Sequence, residues 1–330
     1  MNGVVEARFR CEVCRGPAFG CNYGVVCCNA CKMFFRRAND PKAIIVPCHE
    51  KCSICRYCRL QRCLNAGMYW KSPTPEDKLS QILQNLLFMD SQRQNTFSFC
   101  ISTENLSLDQ VITAESIKNT RKPLNFLADF YDWATIDQIS AIEFMKKFDF
   151  VGELKEKELK FFIKNSYVQY IMFCVAMRAV GQKRVDAAYP DGVDVFPEEI
   201  RSFYKETPQV LAKVRCPLVA KIIDLRVTRE EFVLLSAVII CNPETQCYSE
   251  PSRNLIAHHR NLHASALVHH CLLQDSRFGP ARFAELLSLC QSINTTFEAF
   301  GAIWIRYSMS QPNPKLGRLY MDFLEYILKK

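Results

Sequence analysis

Four cysteines near the amino end constrain the fold of this 330-residue chain more than any other feature. Cys11 and Cys14 form one Cys-x2-Cys pair, and Cys28 and Cys31 form a second pair thirteen residues further on. Two such pairs supply four thiolates, the ligand set of a closed tetrahedral zinc site. The basic and aromatic residues 32–37 follow directly. The pattern predicts a metal ion that holds the start of a DNA-reading helix.

Cysteine usage and the amino terminus indicate the compartment. Eleven of the 18 cysteines lie between Cys11 and Cys63, which in a secreted protein would indicate disulfides. The first ten residues have no long apolar core, so we expect no secretory leader and a reducing environment in which thiolates bind metal. The longest apolar runs, such as residues 232–240, are too short to span a bilayer, so we expect no membrane contact.

Charge is concentrated in the cysteine-rich part. Residues 1–78 contain 13 basic and 6 acidic residues, a net charge of +7 out of +8 for the whole chain. A compact basic module indicates a polyanionic partner, and its coincidence with the cysteine pairs favours nucleic acid over a merely solvated basic face.

A helical pattern follows Cys28. The spacing predicts a buried stripe of apolar residues and an outward face that can donate hydrogen bonds to base edges or phosphates. The predicted buried residues are Val26, Ala30, Phe34 and Phe35. The predicted outward residues are Asn29, Lys32, Met33, Arg36 and Arg37.

Residues 11–37 resemble the DNA-binding domain of the nuclear hormone receptors, in which the same cysteine spacing precedes a Lys-x-Phe-Phe-Arg-Arg block. The resemblance implies a zinc-dependent transcription factor of the nucleus, whose helix enters the major groove of double-stranded DNA. It implies base selection by Asn29, Ala30 and Met33, a general base contact from Lys32, and phosphate contacts from Arg36 and Arg37. Vertebrate members carry Glu-Gly at the first two positions, whereas Asn-Ala is similar to divergent nematode receptors.

The second finger departs from the family pattern. The resemblance implies that Cys48, Cys52, Cys55 and Cys58 hold a second zinc, but both gaps between these cysteines are shorter than in the family. Ser53 and Ile54 alone must join the two ligand pairs. The shortened loop is the segment through which family members dimerise on DNA, so pairing with a receptor partner stays open. Cys63 as a substitute ligand and an iron–sulfur cluster are the alternatives. We interpret Cys21 and Cys27 as packing residues.

A second helical segment ends near Gly67. Arg56, Arg59 and Arg62 recur every third residue along it, and contact with phosphate and a solvated face are equally consistent with that spacing.

The predicted domains are a zinc-finger DNA-binding domain at residues 8–70, a linker at 71–122 and a helical ligand-binding domain at 123–330. Within the linker, apolar spacing predicts a short helix over residues 76–90, and polar composition predicts loose order over residues 91–105. The fold prediction is therefore a small α zinc-finger module, with two four-cysteine fingers of which the second is shortened, followed by an all-α helical bundle.

The bundle prediction depends on helical stripes. One is formed by Trp133, Ile136, Ile139 or Ser140, and Phe144, and another by Phe283, Leu286, Leu287, Cys290 and Ile293. Residues 154–177 are apolar on more than one face, as in a central helix, and about ten helices are expected in all. Residues 231–243 also resemble the Glu-x-x-Leu-Leu-x-Ala-Ile helix, ending in Asn-Pro, of the receptor ligand-binding domain, and residues 282–287 resemble a segment of its tenth helix.

The last helix resembles the family's activation helix. The resemblance implies that Lys146 and Glu325 clamp the two ends of a coregulator helix, although Asp322 stands where an apolar residue is usual. It also implies a small apolar ligand. The residues that could line its pocket, or simply fill the core, are Met145, Phe148, Met172, Phe173 and Met177.

Catalysis is not expected, because the sequence contains no nucleophile–base motif or phosphate-binding glycine loop. His259 and His263 lie four residues apart but lack the carboxylate of a HExxH site, and we expect the histidines of this segment on a helix surface. The alternative function is a regulatory binding protein in which weakened DNA binding leaves the helical domain to sequester receptor partners or coregulators.

Overall fold

A computed structural model describes residues 9–18, 20–40, 43–48, 52, 55–70, 75–102, 104–244, 247–310 and 318–328. The chain divides into two compact units, Met1–Phe88 and Met89–Lys330. The boundaries predicted at residues 70 and 122 stay predictions, since the division into units is not a division into functional domains.

Two short antiparallel hairpins open the first unit. β1 (Phe9–Arg10) pairs with β2 (Pro17–Ala18), and β3 (Cys21–Asn22) pairs with β4 (Val25–Val26). Tyr23 and Gly24 join β3 to β4 with φ values of 56° and 90°, the left-handed pair that a two-residue type I′ turn requires. The sequence did not predict these strands, because two-residue strands are too short to show alternation.

Two helices complete the cysteine-rich region, α1 (Asn29–Ala38) and α2 (Arg56–Asn65). They pack against one another over a small core in which Phe35 and Cys63 are fully buried. The ring of Tyr23 lies 5.1 Å from that of Phe35 and 5.5 Å from that of Trp70. A core of this size is small for a folded module, and structural metal is the usual supplement.

One long helix occupies the predicted linker. α3 (Pro75–Phe99) has Glu76 and Asp77 in its first turn, and the division between the two units falls within it. The prediction of loose order is wrong for residues 91–99. Asp90 is fully buried and accepts hydrogen bonds from Arg93 at 2.7 Å and from Gln94 at 2.6 Å. The polar composition of this stretch thus reflects a buried ion pair within the helix.

In its described residues, the second unit is a helical bundle with one small hairpin, β5 (Cys100–Ile101) paired with β6 (Thr120–Arg121). Its helices in chain order are α4 (Leu108–Thr113), α5 (Phe130–Met145), α6 (Glu156–Gly181), α7 (Glu198–Phe203), α8 (Gln209–Arg215), α9 (Pro217–Leu225), α10 (Arg229–Ile240), α11 (Glu250–Gln274), α12 (Gly279–Ser310) and α13 (Arg318–Leu328). α6 contacts α5, α9, α10 and α12. Its central place confirms the prediction of a central helix, and the fold class is as predicted.

The predicted stripes hold in part. Trp133, Ile136 and Phe144 are buried on α5. Within residues 283–293 of α12, the buried positions are Leu286, Leu289 and Ile293. The predicted Phe283, Leu287 and Cys290 are only half-buried. Helical spacing therefore located both helices, but the buried face of α12 is rotated slightly from the predicted one.

An ion pair fixes α10 against α12. Glu231 accepts two hydrogen bonds from Arg282, both at 2.7 Å, and its backbone and side chain complete a capping box with Thr228. Burial raises the pKa of the Glu231 carboxyl. Hydrogen bonds from the Arg282 guanidinium and the Thr228 N–H lower that pKa by more than burial raises it, so the pKa lies below its usual value. The two segments singled out in the sequence thus meet through these side chains.

The histidine prediction is wrong for two of the residues on α11. His263 is 6% exposed and His270 is 9% exposed. The rings of Phe148 and His259 lie 5.5 Å and 6.3 Å from that of His263. Phe148 is distant from His263 in the sequence, so spacing along α11 could not reveal the burial of this histidine.

Candidate metal centres and DNA-reading surface

The first four cysteines converge on one point. The sulfurs of Cys11, Cys14, Cys28 and Cys31 all lie within 4.8 Å of one another, and Cys14 Sγ is 3.6 Å from Cys28 Sγ. Zinc–sulfur bonds of about 2.3 Å in a tetrahedron set neighbouring sulfurs about 3.8 Å apart. The cluster therefore has the size that a zinc ion requires.

The backbone conformation positions these sulfurs. Just after the first two cysteines the chain turns sharply at Arg15, which has a φ of 62° and donates its N–H to Cys11 O at 2.7 Å. Cys28 is the N-cap of α1, and its Sγ accepts the N–H of Cys31 at 3.4 Å. Because Cys28 is both the N-cap and a member of the sulfur cluster, α1 begins at the metal centre. The helix dipole favours a thiolate at this position.

The donor set needs a cation. Burial raises the pKa of the Cys11 thiol, but N–H groups of Cys28, Cys14 and Val13 outweigh it and bring the pKa to about 7. Burial and the neighbouring sulfurs of Cys28 and Cys14 raise the pKa of Cys31 well above its usual value. Four crowded thiols cannot all ionise alone, whereas a divalent ion at their centre compensates the charge. Zinc fits this site.

The shortened second finger also gathers four sulfurs. Those of Cys48, Cys52, Cys55 and Cys58 lie within 4.8 Å of one another, with 3.8 Å between Cys48 Sγ and Cys52 Sγ. The N–H of Cys55 donates to Cys52 Sγ at 3.3 Å, and that of Cys58 donates to Cys55 Sγ at 3.3 Å. Burial, then the sulfurs of Cys55 and Cys48, raise the pKa of Cys58 to about 12, which again calls for a cation. The joining residues Ser53 and Ile54 lie outside the described residues.

The remaining cysteines of this unit pack. Cys63 is fully buried in the core and stands outside both sulfur clusters of the described residues, so it does not replace a ligand there. Cys27 is buried, and its Sγ lies 3.8 Å from the carbonyl oxygen of Asn22. Burial raises the pKa of the Cys27 thiol to about 11. Cys21 is half-buried and belongs to neither cluster.

α1 presents the predicted outward face. Asn29, Met33 and Arg36 are exposed, and Lys32 between them is half-buried. Asn29 and Met33 are four residues apart, as are Lys32 and Arg36, so these two pairs share a side of the helix. Arg37 is exposed on the adjoining side. The face combines a cation, an amide and an apolar side chain, the chemistry that reads base edges in the major groove.

The inward face of α1 differs from the prediction. Ala30 is exposed and Phe34 is half-buried, whereas Cys31 and Phe35 are buried. Cys31 must turn inward to reach the other sulfurs, and Phe35 follows it one turn later. The metal ligand, not the apolar spacing, therefore sets the rotation of the helix.

Arg59 is a positioning residue that the sequence did not distinguish from Arg56 and Arg62. Its guanidinium donates to Ala30 O at 3.3 Å and lies 4.5 Å from the centre of the Phe34 ring. It fixes α2 against α1, while Arg56 and Arg62 are exposed. All three arginines have the same spacing in the sequence, so only the tertiary contact distinguishes Arg59.

Comparison with known proteins agrees with both units. A family described as the ligand-binding domain of nuclear hormone receptor matches residues 117–300, and a family described as a double treble clef zinc finger of C4 type matches residues 9–70. The chain belongs to the nuclear hormone receptor family. It is a receptor of nematode type, related to transcription factors and not to enzymes.

Curated relatives from Caenorhabditis elegans match over nearly the whole chain. Nuclear hormone receptor family member nhr-9 is 33% identical over 98% of both chains. Family member nhr-51 is 32% identical over 94% of this chain and 89% of its own, and nhr-167 is 29% identical over 97% and 98%. Among the described residues of the receptor, no helix has the length and apolarity to cross a membrane.

The residues predicted to clamp a coregulator lie on α5 and α13. Lys146 is the C-cap of α5, and its Nζ contacts Glu143 Oε1 at 2.9 Å, Ala114 O at 2.5 Å and Val111 O at 3.4 Å. Glu325 is exposed on α13. Their joint role stays a prediction. Asn313 and Pro314, whose sequence is typical of an N-cap followed by a first-turn proline, lie outside the described residues.

An apolar cavity of about 80 Å³ lies inside the helical unit. Residues from α5, α6, α9, α12 and α13 line it, among them Phe130, Gln138, Met172, Phe300 and Tyr320. Of the residues predicted to line a pocket or to fill the core, Met172 lines the cavity. Met145, Phe148 and Phe173 are buried elsewhere in the core, and Met177 is half-buried outside the lining.

Proposed function

We propose that this receptor is a sequence-specific regulator of transcription that places α1 in the major groove of double-stranded DNA. The observation that carries the proposal is the joint use of Cys28 and Cys31: both sulfurs belong to the metal cluster, and the helix that starts between them exposes Asn29, Met33 and Arg36 beside the half-buried Lys32. Lys32 contacts bases generally, Ala30 and Met33 contribute selectivity, and Arg36 and Arg37 contact phosphates. The net charge of +7 on residues 1–78 supports a polyanionic partner.

Each cysteine cluster holds one zinc ion in this proposal, at Cys11, Cys14, Cys28 and Cys31 and at Cys48, Cys52, Cys55 and Cys58. Zinc compensates the negative charge of the four thiolates, and its bonds to them stabilise a module whose hydrophobic core is small. Cys28 and Cys55 each cap a helix with a metal ligand, so the two ions position α1 and α2.

The residue pair Asn29 and Ala30 defines the expected half-site. An asparagine amide can bond to N6 and N7 of adenine at once, whereas the small Ala30 side chain leaves room for a thymine methyl group. We therefore expect a half-site with adenine opposite Asn29.

Selection from random duplexes, with zinc and then with chelator, tests this proposal. The full chain should select one half-site with zinc and none with chelator. Asn29→Ala should relax the preference at one base pair and cost about 1–3 kcal/mol in discrimination. Arg36→Ala should weaken binding to all sequences alike, and should reduce the slope of log affinity against log salt concentration by about one.

A charge-matched control separates contact from net charge. Arg121 is exposed on β6 of the helical unit, so Arg121→Ala removes one positive charge without touching α1 and should leave the selected site unchanged. Folded, zinc-loaded protein that selects no sequence would contradict the proposal. That result would favour sequestration of receptor partners or coregulators by the helical unit.

The helical unit carries the regulatory function of the proposal. Lys146 and Glu325 bind the two ends of a coregulator helix, and the receptor acts in the nucleus, as its family does. Dimerisation with a second receptor cannot depend on a loop of the family's usual length, since the second finger has that loop only in shortened form.

The cavity supports a fragment-sized apolar ligand. Its volume of about 80 Å³ is a fraction of the roughly 300–1,000 Å³ of a drug-sized site, so side chains fill most of the bundle. Gln138 is 5% exposed and lines the cavity, and its Oε1 has no hydrogen-bond partner among the described residues. A ligand with one hydroxyl donor would satisfy that oxygen.

A matched pair of probes tests this ligand class. Para-cresol and toluene differ by one hydroxyl, so para-cresol should raise the thermal midpoint of the receptor more than toluene does. Gln138→Leu should abolish the difference between the two. Equal shifts in the unaltered receptor would contradict the role of Gln138.

A further inference from the structure

A short helix of the chain itself lies against Lys146, one of the two residues of the proposed coregulator clamp. α4 (Leu108–Thr113) buries Leu108, Val111 and Ile112, each at most 1% exposed. These residues stand at positions i, i+3 and i+4, the spacing by which amphipathic helices enter apolar grooves. α4 contacts α5, α6 and α13, so three helices form the walls around it.

Opposite charges hold the two ends of α4. At its N-terminus, the Leu108 N–H donates to Asp322 Oδ2 of α13 at 2.8 Å. At its C-terminus, Lys146 Nζ donates to the carbonyls of Val111 and Ala114 at 3.4 Å and 2.5 Å. An acid at the N-terminus and a cation at the C-terminus is the arrangement that the helix dipole favours.

The outer side of α4 is also paired. Asp109 is half-exposed and lies 2.6 Å from Lys164 and 3.7 Å from Lys160, both on α6. These pairs fix the rotation of α4, because only one orientation directs Asp109 to α6 while Leu108 and Ile112 point into the groove.

The chain tethers α4 at both ends. β5 and β6 flank residues 102–119, and their pairing through Cys100–Arg121 and Ile101–Thr120 brings the ends of this segment together. A tethered helix faces its groove at a high effective concentration, so a free helix of equal intrinsic affinity competes poorly with it.

We propose that α4 is a built-in competitor that occupies the coregulator groove, and that a partner helix of the type Φ-x-x-Φ-Φ, with Φ an apolar residue, binds only by displacing it. The inference rests on the proposed role of Lys146 as a clamp residue. Asp322, three residues before Glu325, supplies the acidic end to α4. This use explains an acid at a position where the family has an apolar residue.

The cavity reaches the same helix. Tyr320 lines the cavity, and Asp322 on the same helix binds the N-terminus of α4. The Tyr320 ring packs 5.6 Å from Phe130 and 5.3 Å from Trp304. Movement of α13 would therefore loosen the N-terminal hold on α4, which makes the self-occupied state a switchable one.

Binding of a labelled peptide to the full zinc-loaded chain tests the inference. The probe is a synthetic peptide with the sequence of residues 104–115, which contains the whole of α4 and its N-cap Ser107. The unaltered receptor should bind it weakly. Asp109→Lys reverses the contacts with Lys160 and Lys164 without opening a cavity, and should increase the affinity for the peptide by about tenfold or more.

Three further variants complete the test. Asp224 is exposed on α9, so Asp224→Lys makes the same charge change and should leave the affinity unchanged. Leu108→Ala combined with Ile112→Ala removes two anchors from α4 and should also increase the affinity. When Lys146→Ala is added to Asp109→Lys or to the double variant, the increase in affinity for the peptide should disappear.

The outcomes distinguish the inference from the proposed function beneath it. If the unaltered receptor binds the peptide as tightly as both α4 variants do, and Lys146→Ala weakens that binding, the clamp is right and self-occupancy is wrong. If Lys146→Ala has no effect in any background, the clamp itself fails and the inference fails with it. The duplex selection is independent of both results.

Discussion

At the scale of single residues, the two sulfur clusters make the sharpest prediction. The unaltered receptor should retain two zinc ions, and Cys31→Ser or Cys55→Ser should each retain one, because a closed site tolerates no missing ligand. Metal analysis of the purified protein by mass spectrometry measures the number directly.

Cys27→Ser is the matched control for these substitutions. Cys27 is buried next to the ligand Cys28 but lies outside both clusters, so its replacement should leave two ions bound. A receptor that holds one ion before any substitution would contradict the second site.

His263 makes a residue-scale prediction about pH. It is 6% exposed, and neither ring nitrogen has a hydrogen-bond partner among the described residues. Burial, and then the neighbouring His259, lower its pKa to about 4. Between that pKa and the unfolded value of about 6.5 the unfolded chain binds more protons, so stability falls as pH drops through this window, by about 3 kcal/mol in full.

Substitution of His263 isolates this effect. His263→Leu should flatten the dependence of the unfolding free energy on pH between about 4 and 6.5, and should raise it by about 1 kcal/mol at neutral pH, because two unsatisfied buried nitrogens are removed. Urea titrations at several pH values measure both. His258→Leu on the more exposed side of α11 should change neither, and a receptor whose pH dependence survives His263→Leu would contradict the assignment.

At the scale of helices, the ion pair between α10 and α12 is the most specific contact. Arg282→Met leaves the Glu231 carboxylate, 6% exposed, without its main partner. We expect a loss of about 2–3 kcal/mol, below the range for a fully buried pair because a quarter of the Arg282 side chain is exposed. Chemical denaturation of the helical unit's far-ultraviolet signal measures it.

A surface pair in the same unit is the control. Arg260 and Glu244 lie 3.1 Å apart with side-chain exposures of 39% and 74%. Arg260→Met should cost less than about 1 kcal/mol, as exposed pairs do. Equal losses from both substitutions would show that burial of Glu231 does not determine the cost.

The helices also show where the sequence was sufficient and where it was not. Ligand spacing predicted the start of α1, and the apolar stripe of α5 predicted its buried face. Spacing also predicted the helix over residues 76–90, but polar composition gave the wrong expectation for residues 91–99 of α3, where Arg93 pairs with Asp90 inside the protein. Spacing gave no sign of α4. The contacts of α4 with Asp322 and Lys146 join positions far apart in the chain, so local composition cannot encode them.

The cavity shows the same limit. Met145, Phe148 and Phe173 have the apolar character of pocket residues, but side chains from distant helices close over them. Gln138 looks like an ordinary polar residue on an apolar helix until α12 and α13 enclose it. Which apolar residue faces a void depends on packing among helices, which periodicity along one helix does not contain.

At the scale of the whole molecule, metal removal should affect the two units differently. The core of the first unit is the small cluster around Phe35 and Cys63, and its two sulfur clusters supply the remaining cohesion. The buried residues of the helical unit include no member of either sulfur cluster. A strong chelator should therefore abolish DNA binding and unfold α1 and α2, yet leave the cooperative thermal transition of the helical unit within a few degrees of its original midpoint.

Calorimetry and peptide binding on the same chelated sample check this prediction. The large transition should persist, and the α4 variant Asp109→Lys should still bind the peptide of residues 104–115 more tightly than the unaltered chain does. Loss of the large thermal transition on chelation would show that zinc supports the entire molecule. The retained peptide binding matters most, because it would separate the DNA-reading function, which depends on metal, from the groove, which depends on packing among α4, α5, α6 and α13.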